Sequence, residues 1–264
     1  MQMPVWHTLR AMTVPVATSK DTLEWFLETS KRRGSVPVHK VFVQRGTRTE
    51  PRPGPLASFV SAGRERALDL YLLLLLRTAG PPHSIALPSG VWARALSVGS
   101  AASSANAISK QWAWLEEQKL ILRGRRGNRA EITVRREDGT GRPYAPGGAG
   151  GPYLRVPFAY WQDNWFGVLN LPEKAVLLIA LSLLDDFYLP QEKGPAWYGL
   201  SPDTVGRGLR GLKEHDLLRE RVLQKAAPGA PHGFTRQHHY TLQRPFGPRG
   251  KISGPAQDGV EVAP

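Results

Sequence analysis

Two stretches of the chain follow one pattern of serine and apolar residues, and the second lies 97 positions after the first. Apolar residues at intervals of four and three share one face of a helix, and a serine at the start of a helix can accept hydrogen bonds from its free N–H groups. Each stretch then runs into a basic, strand-like segment. The pattern therefore predicts a helix followed directly by a two-stranded ribbon, twice in one chain. The matching residues are Ser104, Ile108, Trp112, Leu115 and Leu120–Ile121 in the first copy, and Ser201, Val205, Leu209, Leu212 and Leu217–Leu218 in the second.

The chain is strongly basic, and its charge is unevenly distributed. It has 264 residues, with 35 Lys and Arg against 22 Asp and Glu, which gives a formal net charge of +13. The net charge is +5 over residues 1–62, +7 over 63–136 and +2 over 153–245. Positive charge at this density favours a polyanionic partner, because neutralising phosphates releases condensed counterions. The alternative is that the charge serves solubility alone.

Composition disfavours several classes of protein. Cysteine is absent, which excludes disulfides and thiolate metal sites. The first seven residues have neither the basic start nor the apolar core of a signal peptide. The longest apolar run, Leu70–Leu76, is far shorter than the roughly 20 residues that cross a bilayer. We therefore expect a soluble cytoplasmic protein without a membrane partner.

Composition and periodicity divide the chain into five parts. We expect an α+β fold that is mainly α, with two helical units that each carry a small β-hairpin. The linker is rich in glycine, which predicts that the two units are only loosely oriented. The parts are an N-terminal extension with a short helix and a strand but no assignable motif (1–60), a first unit (61–136), a flexible Gly/Pro linker (137–152), a second unit (153–244) and a disordered tail (245–264).

Each unit is predicted to contain three helices before its hairpin. In the second unit the first of these helices is expected to bury Leu183 and Leu184 and to end at Asp185–Asp186. The predicted helices are 64–79, 88–96 and 104–119 in the first unit, and 172–187, 196–198 and 201–215 in the second. The predicted hairpin strands are 120–123 and 130–136 in the first unit, and 218–225 and 237–242 in the second, with a further short strand at 85–87.

The segment Gly199–Leu212 reads Gly-Leu-Ser-Pro-Asp-Thr-Val-Gly-Arg-Gly-Leu-Arg-Gly-Leu. It resembles the winged helix-turn-helix family, in which a Gly-Leu-Ser-x-x-Thr-Val-x-Arg-x-Leu-x-x-Leu run forms the turn and the recognition helix. The resemblance implies a tandem winged helix-turn-helix protein with double-stranded DNA as its partner. It also implies that Ser201, Thr204 and Arg207 contact DNA. Arg210 falls on an outer face of the same helix, from which arginine can reach guanine edges or phosphates.

Two glycines, Gly206 and Gly208, are unusual inside this predicted helix. Each costs about 1 kcal/mol relative to alanine in a helix interior. They would permit close approach of the backbone either to DNA or to a neighbouring helix. The sequence leaves both alternatives open.

The first unit matches the family less closely, because Ala105–Lys110 stands where the Thr-Val-x-Arg signature would be. Asparagine and glutamine can read adenine with two hydrogen bonds, and lysine or serine can hold phosphates. The predicted DNA contacts of its third helix are Ser103, Ser104, Asn106, Ser109, Lys110 and Gln111.

The hairpin of the first unit carries the strongest charge signal. An arginine-bearing hairpin is suited to entering a minor groove or lying along phosphates. The alternative is a solvated hairpin with ordinary surface charge. If one unit binds DNA more strongly, charge favours the first. The candidate contacts are Arg123, Arg125, Arg126 and Arg129, which together with Arg135 and Arg136 face one acid within the hairpin, Glu131.

Signals for catalysis or metal binding are weak. His238 and His239 are adjacent on a predicted strand, where neighbours point to opposite faces, so they do not readily chelate one ion. Asp185 and Asp186 make an unconvincing acid–base pair, and the sequence contains neither a phosphate-binding Walker loop nor a Gly-x-Ser-x-Gly motif. We expect no enzyme activity, no metal and no cofactor.

Three functions remain open at this stage. The leading expectation is a sequence-specific DNA-binding transcriptional regulator of the bacterial cytoplasm, associated with the nucleoid when bound. The first alternative is a plasmid or phage replication initiator that binds repeated origin sites. The second is an adaptor that binds a protein partner through the second unit. Two units in one chain can contact two half-sites as a monomer, so both a monomer and a homodimer remain open.

Overall fold

The computed structural model of the chain describes residues 16–47, 49–97, 101–145, 153–229 and 231–247, with the backbone alone at 101–104. The tail from residue 248 onward and linker residues 146–152 lie outside the described residues. The fold is α+β, with helices and small antiparallel sheets, which confirms the predicted class at that level. Its secondary structure falls into an N-terminal extension and two similar units.

From residue 16 onward the N-terminal extension contains the short helix and the strand that the sequence predicts, together with further short elements. A capping box starts its first helix, in which the Thr18 side chain accepts a hydrogen bond from the Asp21 backbone N–H and the Asp21 carboxylate accepts one from Thr18. Its elements are α1 (Ser19–Glu28), β1 (Ser35–His39), a 3-10 helix (Lys40–Phe42), β2 (Gln44–Gly46), β3 (Pro51–Pro53) and α2 (Leu56–Ser61).

The three helices and the hairpin predicted for the first unit are confirmed, with shifts of a few residues at their ends. The long apolar run lies in the first helix, where Leu70–Leu76 are all buried. The elements are α3 (Glu65–Arg77), β4 (Ser84–Ile85), α4 (Ser89–Ala95), α5 (Ala101–Glu117), β5 (Ile121–Arg126) and β6 (Arg129–Val134).

The second unit repeats this order of elements after a strand and two short helices. The elements are β7 (Tyr153–Pro157), α6 (Ala159–Gln162), α7 (Trp165–Val168), α8 (Leu171–Ser182), β8 (Phe187–Tyr188), a 3-10 helix (Gln191–Lys193), α9 (Gly194–Tyr198), α10 (Pro202–Glu214), β9 (Leu218–Ala226) and β10 (Phe234–Leu242).

One prediction for the second unit is wrong. Helix α8 ends at Ser182 rather than near Phe187, because the backbone at Leu183 becomes extended. Asp186 then takes a left-handed conformation with φ of 58°, which turns the chain so that Phe187 can pair with β10. Leu184 is consequently 84% exposed instead of buried. The two aspartates therefore belong to a turn rather than to a helix end.

The two units share one sheet topology. Strand order is β4-β6-β5 in the first and β8-β10-β9 in the second, so the short strand pairs with the second arm of the hairpin in both. All of these pairings are antiparallel. Each unit is thus a helix, a short strand, two further helices and a hairpin that closes a three-stranded sheet.

The repeat extends to individual hydrogen bonds at the offset of 97 residues. Lys119 and Asp216 both adopt left-handed backbone conformations, with φ of 59° and 56°. Directly after them, the Leu120 N–H donates to the Leu115 carbonyl at 3.1 Å, and the Leu217 N–H donates to the Leu212 carbonyl at 2.9 Å. Each helix therefore passes into its hairpin through the same turn, as the repeated sequence pattern predicts.

An ion pair also recurs between the third helix and the hairpin, with its charges exchanged. In the first unit the guanidinium of Arg123 lies 2.6 Å from the carboxylate of Glu116. In the second unit the ammonium of Lys213 lies 2.5 Å from the carboxylate of Glu220. These are equivalent positions at the same offset. The exchange keeps the ion pair. It places the acid on the helix in the first unit and on the hairpin in the second.

The two units are held together by packed contacts, contrary to the loose orientation that the glycine-rich linker predicts. Strands β1 and β7 pair antiparallel, with Val36 opposite Val156 and both of these side chains buried. A buried network adds to this sheet: the Lys174 ammonium of α8 lies 2.8 Å from the Asp69 carboxylate of α3. The N-terminal extension therefore supplies the strand that joins the units.

The first half of the predicted linker packs against the N-terminal extension and the first unit. Glu137 is only 5% exposed and accepts a hydrogen bond from the His39 backbone N–H at 3.3 Å. Tyr144 is 9% exposed. Gly139 and Gly141 take φ values of 73° and 78°, so these glycines serve a turn here. The prediction of a flexible linker is thus wrong for residues 137–145.

The glycines of α10 allow it to approach α8 closely. A Cβ atom added at Gly208 would lie 2.4 Å from the Val176 side chain and 2.5 Å from the Pro172 carbonyl oxygen. A Cβ at Gly211 would lie 2.0 Å from the Glu173 carboxylate. Of the two alternatives for Gly208, close approach to a neighbouring helix is therefore the one observed.

We predict that Gly208→Ala lowers the free energy of unfolding by about 2 kcal/mol. Overpacking typically costs about 1–3 kcal/mol, and contact with a backbone carbonyl puts this site in the upper part of that range even after the helix propensity gained. Urea denaturation measures the change. The matched control is Gly90→Ala in α4, where an added Cβ meets no atom within 4 Å and a gain of up to about 1 kcal/mol is expected. Equal effects at the two sites would contradict the packing argument.

Candidate nucleic-acid interface

The hairpin of the first unit presents arginines on both of its faces. Strands β5 and β6 pair so that Arg126 lies opposite Arg129 and Arg125 lies opposite Ala130. Residues opposite one another in an antiparallel pair share a face, and neighbours along a strand alternate. Arg126 and Arg129 therefore project from one face and Arg125 from the other. Gly127 closes the turn between them with a φ of 61°.

Two of the four predicted hairpin contacts are neutralised by neighbouring acids. Arg123 pairs with Glu116 of α5, and Arg126 pairs with Glu131 across the hairpin. Burial raises the pKa of Glu116, but hydrogen bonds from the Arg123 backbone and guanidinium and the charge of Arg123 outweigh it and lower the pKa overall. Hydrogen bonds from Ser84 and Arg126 lower the pKa of Glu131. Both carboxylates are thus held in their charged form against these arginines.

Arg125 and Arg129 retain their full charge. Both are exposed, and neither forms an ion pair with any described residue. They flank the hairpin turn, one on each face. A hairpin end with two unneutralised guanidiniums can reach phosphates on either side of itself. The free charge at the turn of this hairpin therefore comes from Arg125 and Arg129.

Helix α5 separates a buried face from an exposed polar one. Ile108, Trp112 and Leu115 are 1%, 4% and 0% exposed and pack into the core. Of the predicted contacts, Asn106, Ser109 and Lys110 are exposed and Gln111 is half-buried, while the side chains of Ser103 and Ser104 lie outside the described residues. Asn106 and Lys110 are four residues apart, so they share one face of the helix.

In α10 of the second unit, two of the predicted contacts are engaged within the helix itself. The Ser201 hydroxyl accepts a hydrogen bond from the Thr204 N–H at 3.1 Å and caps the helix. Thr204 is only 8% exposed, and its hydroxyl lies 2.8 Å from that of Ser201. Both side chains are therefore used to cap the N-terminus of the helix.

The two arginines of α10 differ in their surroundings. Arg207 is exposed and lies 2.9 Å from the carboxylate of Asp203, one turn earlier. Arg210 is exposed and has no ion pair with a described residue. An exposed pair of this kind contributes less than about 1 kcal/mol, so Arg207 can exchange Asp203 for another anion.

Acids pair with some of the basic side chains around the hairpin of the second unit. Glu220 accepts from Lys213 and from His238, each at 2.5 Å, and these hydrogen bonds lower its pKa. Arg221 pairs with Asp186 at 2.6 Å. Arg219, Lys225 and Arg236 of the same hairpin are exposed and form no ion pair with a described residue, so both hairpins carry free positive charge.

His238 and His239 face different neighbours, as their adjacent positions on a strand predict. His238 contacts Glu220, whereas the His239 ring lies 3.6 Å from the Asp186 carboxylate. Within the described ranges no group of three His, Asp or Glu side chains is placed to hold a metal ion.

Comparisons with protein-family models, with curated proteins and with solved structures find no match for this chain. Among the described residues, no helix combines the length and apolar character needed to cross a membrane. The site is therefore interpreted from its own geometry.

One of the two acids that neutralise arginines of the first hairpin was not predicted from the sequence. Glu131, within the hairpin, is the acid that the sequence indicates, whereas Arg123 pairs with Glu116 on the preceding helix. The 97-residue offset held a usable signal, because it aligns Glu116 with Lys213 and Arg123 with Glu220. Opposite charges that exchange places between two copies of a repeat indicate a direct contact.

Proposed function

We propose that the chain is a sequence-specific double-stranded DNA-binding protein built from two winged helix-turn-helix units, and that it acts as a transcriptional regulator. The observation that carries this proposal is the repeated order of helix, strand, two helices and hairpin, with strand orders β4-β6-β5 and β8-β10-β9. In such units a helix enters the major groove and the hairpin wing lies against the backbone. Helices α5 and α10 would take the recognition position.

The net charge, +7 over residues 63–136 against +2 over 153–245, favours the first unit as the main source of affinity. Its wing has two unpaired guanidiniums at the turn, Arg125 and Arg129. Its helix offers Lys110 for phosphates, together with Asn106, whose amide can pair with adenine through two hydrogen bonds. Phosphate contacts would set the position of this unit, and the uncharged side chains of α5 would read bases.

The packed junction between the units bears on the kind of DNA site. Strands β1 and β7 and the Lys174 network link the two units and would hold the two candidate recognition helices at one relative orientation. A single chain would then bind two half-sites at one preferred spacing. Repeated sites of that spacing at an origin would favour the alternative role of a plasmid or phage replication initiator.

The second unit also supports a different role as a protein-binding surface. Its net charge over residues 153–245 is only +2, and Arg207 is paired with Asp203. A surface of low net charge gives little phosphate affinity and suits a partner of mixed charge. If Arg207→Ala and Arg210→Ala leave DNA affinity unchanged, the second unit would be assigned to a protein partner.

The decisive experiment is selection of genomic fragments bound by the purified full chain at two salt concentrations. We expect enrichment of a discrete motif that persists at the higher salt, because base contacts do not depend on counterion release. The location of the motif would separate a promoter-bound regulator from an origin-bound initiator. Weak, unselective binding that is lost with salt would contradict sequence-specific recognition.

Asn106→Ala is expected to relax base preference at one position of the selected motif. The loss of a two-hydrogen-bond contact to a base removes about 1–3 kcal/mol of discrimination, while the dependence of affinity on salt stays unchanged. The same selection measures both quantities. The control is Gln162→Ala, an exposed amide of α6 outside the proposed interface. A uniform loss of affinity across all sequences would assign Asn106 to the backbone instead.

A further inference from the structure

A groove of about 710 Å³ lies between α1 and the short helices α6 and α7. Its walls come from three parts of the chain: α1 in the N-terminal extension, Ser97 in the turn that follows α4, and residues 161–164 in the second unit. None of the residues that we assign to DNA contact lines it. The volume is in the range of about 300–1,000 Å³ that small-molecule sites occupy.

The floor of the groove is apolar, and its rim is polar. Leu23, Leu27 and Trp161 contribute buried side chains. Gln162 and Asn164 contribute exposed amides at the rim. An apolar floor with a few polar groups at its edge is the usual composition of a site for a small organic molecule.

Trp161, which lines the groove, has one polar atom that lacks a partner. The Nε1 atom of Trp161 is buried and forms no hydrogen bond within the described structure, although the residue is only 2% exposed. An indole nitrogen can only donate, and a buried donor without an acceptor costs about 1–3 kcal/mol. This atom is closed to solvent, so the indole ring would have to turn slightly to present it to the groove, where a ligand oxygen that accepts its hydrogen would remove that penalty.

The charges at the groove disfavour an anion. Lys20 is paired with Glu24 at 3.9 Å, and Glu28 adds a second carboxylate to the lining. The lining therefore has a net charge of −1. This sign distinguishes the groove from the arginine-bearing hairpin and disfavours phosphate groups.

We propose that this groove binds a small uncharged molecule with an aromatic or alicyclic body and a carbonyl oxygen. The body would cover Leu23, Leu27 and the Trp161 ring, and the carbonyl would accept the Trp161 indole N–H. This inference does not depend on DNA binding, because it uses none of the same side chains.

The position of the groove gives the ligand contacts with three separate elements. Helix α1 is tied to the end of α4 by the Ser19 hydroxyl, which donates to the Ala95 carbonyl at 3.0 Å. The Ser97 hydroxyl lies 3.0 Å from that of Ser19. A bound molecule would add contacts to this junction and to the second unit, and would raise the melting temperature by mass action.

The test uses prodan, an uncharged fluorescent naphthalene ketone, with the full chain. We expect its emission to shift to shorter wavelength on binding, with a dissociation constant on the order of 0.1 mM, which matches the efficiency of ligands of this size. In a sample with ¹⁵N-labelled tryptophan, prodan should shift the indole resonance of Trp161. The resonance of Trp165 should stay in place.

Trp161→Phe should weaken prodan binding about fivefold, because it removes the donor and keeps most of the apolar surface. The matched control is Trp165→Phe, since Trp165 also has a buried, unpartnered Nε1 but does not line the groove. This control should bind prodan as the unmodified chain does. Circular dichroism and thermal melting verify that both variants are folded.

Gln162→Arg provides a second variant that leaves the core untouched, because Gln162 is exposed at the mouth of the groove. The longer, charged side chain should block entry and weaken binding at least about fivefold. Unshifted prodan emission with the unmodified chain would overturn the proposal. So would a Trp161 resonance that does not move, or binding that is equally strong in Gln162→Arg and the unmodified chain.

Discussion

Replacement of Lys174 with methionine is expected to lower the free energy of unfolding by about 3–5 kcal/mol, the cost of leaving a buried charge unpaired. The Lys174 side chain is 1% exposed, and its ammonium lies 2.8 Å from Asp69 and 2.7 Å from Glu65. The Tyr160 hydroxyl donates to the same Asp69 carboxylate at 2.9 Å. Methionine fills a similar volume, so the loss reports on charge rather than on a cavity. Urea denaturation at about pH 8 measures it.

The loss should depend on pH in a defined direction. Burial raises the pKa of Asp69 to about 6 from its ordinary value of 3.8, although the charge and hydrogen bond of Lys174 and the hydrogen bond of Tyr160 oppose this. A carboxyl whose pKa is higher in the folded state takes up its proton there first, so stability from this group increases as pH falls through the folded pKa. Without Lys174 the pKa rises further, and protonation begins at higher pH. The difference in free energy of unfolding between Lys174→Met and the unmodified chain should therefore be largest near about pH 8 and shrink toward about pH 6.

Two further variants separate the ion pair from other effects of losing a lysine. Lys193→Met removes an exposed ammonium in the second unit and should change the free energy of unfolding by less than about 0.5 kcal/mol. The double variant Lys174→Met, Asp69→Asn removes both charges, keeps an acceptor for the Tyr160 hydroxyl and should recover most of the loss, because no buried charge is left unpaired. A deficit that is independent of pH, or one that the second substitution does not reduce, would contradict the assignment.

The local elements of this fold could be predicted because their signals are local. The spacing of Ile108, Trp112 and Leu115 predicts a helix with one buried face, and all three are buried. Gly127-Asn128 predicts the hairpin turn that joins β5 to β6. In both cases the residues that decide the structure lie within a few positions of one another.

The junction between the units could not be predicted in this way. Strands β1 and β7 pair Val36 with Val156, and Asp69 meets Lys174 across more than 100 residues of chain. The sequence of neither strand indicates its partner, since any strand with a buried face has a similar alternation of apolar and polar residues. Glycines in the linker predict a flexible backbone. Gly139 and Gly141 instead adopt positive φ values in a turn, and Tyr144 after it lies in the core.

At the candidate site, the exposure of side chains could be predicted from the sequence. Which of them lack an ion-pair or hydrogen-bond partner could be predicted less well. Asn106, Lys110 and Arg210 are exposed as expected. Thr204 is not, because it helps to cap the helix that Ser201 begins. Whether an arginine is neutralised depends on the rotamers of neighbouring acids in other elements, and periodicity carries no information on them.

The double variant Arg125→Ala, Arg129→Ala is expected to weaken DNA binding roughly tenfold to a hundredfold at about 0.1 M salt, equally for all sequences. Each phosphate contact contributes a slope of about −0.9 to the dependence of log affinity on log salt, so the slope should become about 2 units shallower. A further Arg126→Ala should change the slope less, because that guanidinium is already paired with Glu131.

The control for the hairpin is a second double variant, Arg33→Ala, Arg66→Ala, which removes the same charge from two exposed arginines outside the proposed interface. Neither forms an ion pair with a described residue, so both carry free charge as Arg125 and Arg129 do. Electrostatic attraction by the whole chain acts over a Debye length of about 10 Å at 0.1 M salt, which leaves distant charges largely screened. The hairpin variant should therefore lose much more affinity and salt dependence than the control. Equal losses in the two variants would mean that DNA responds to net charge alone, and the hairpin would no longer be assigned as a wing.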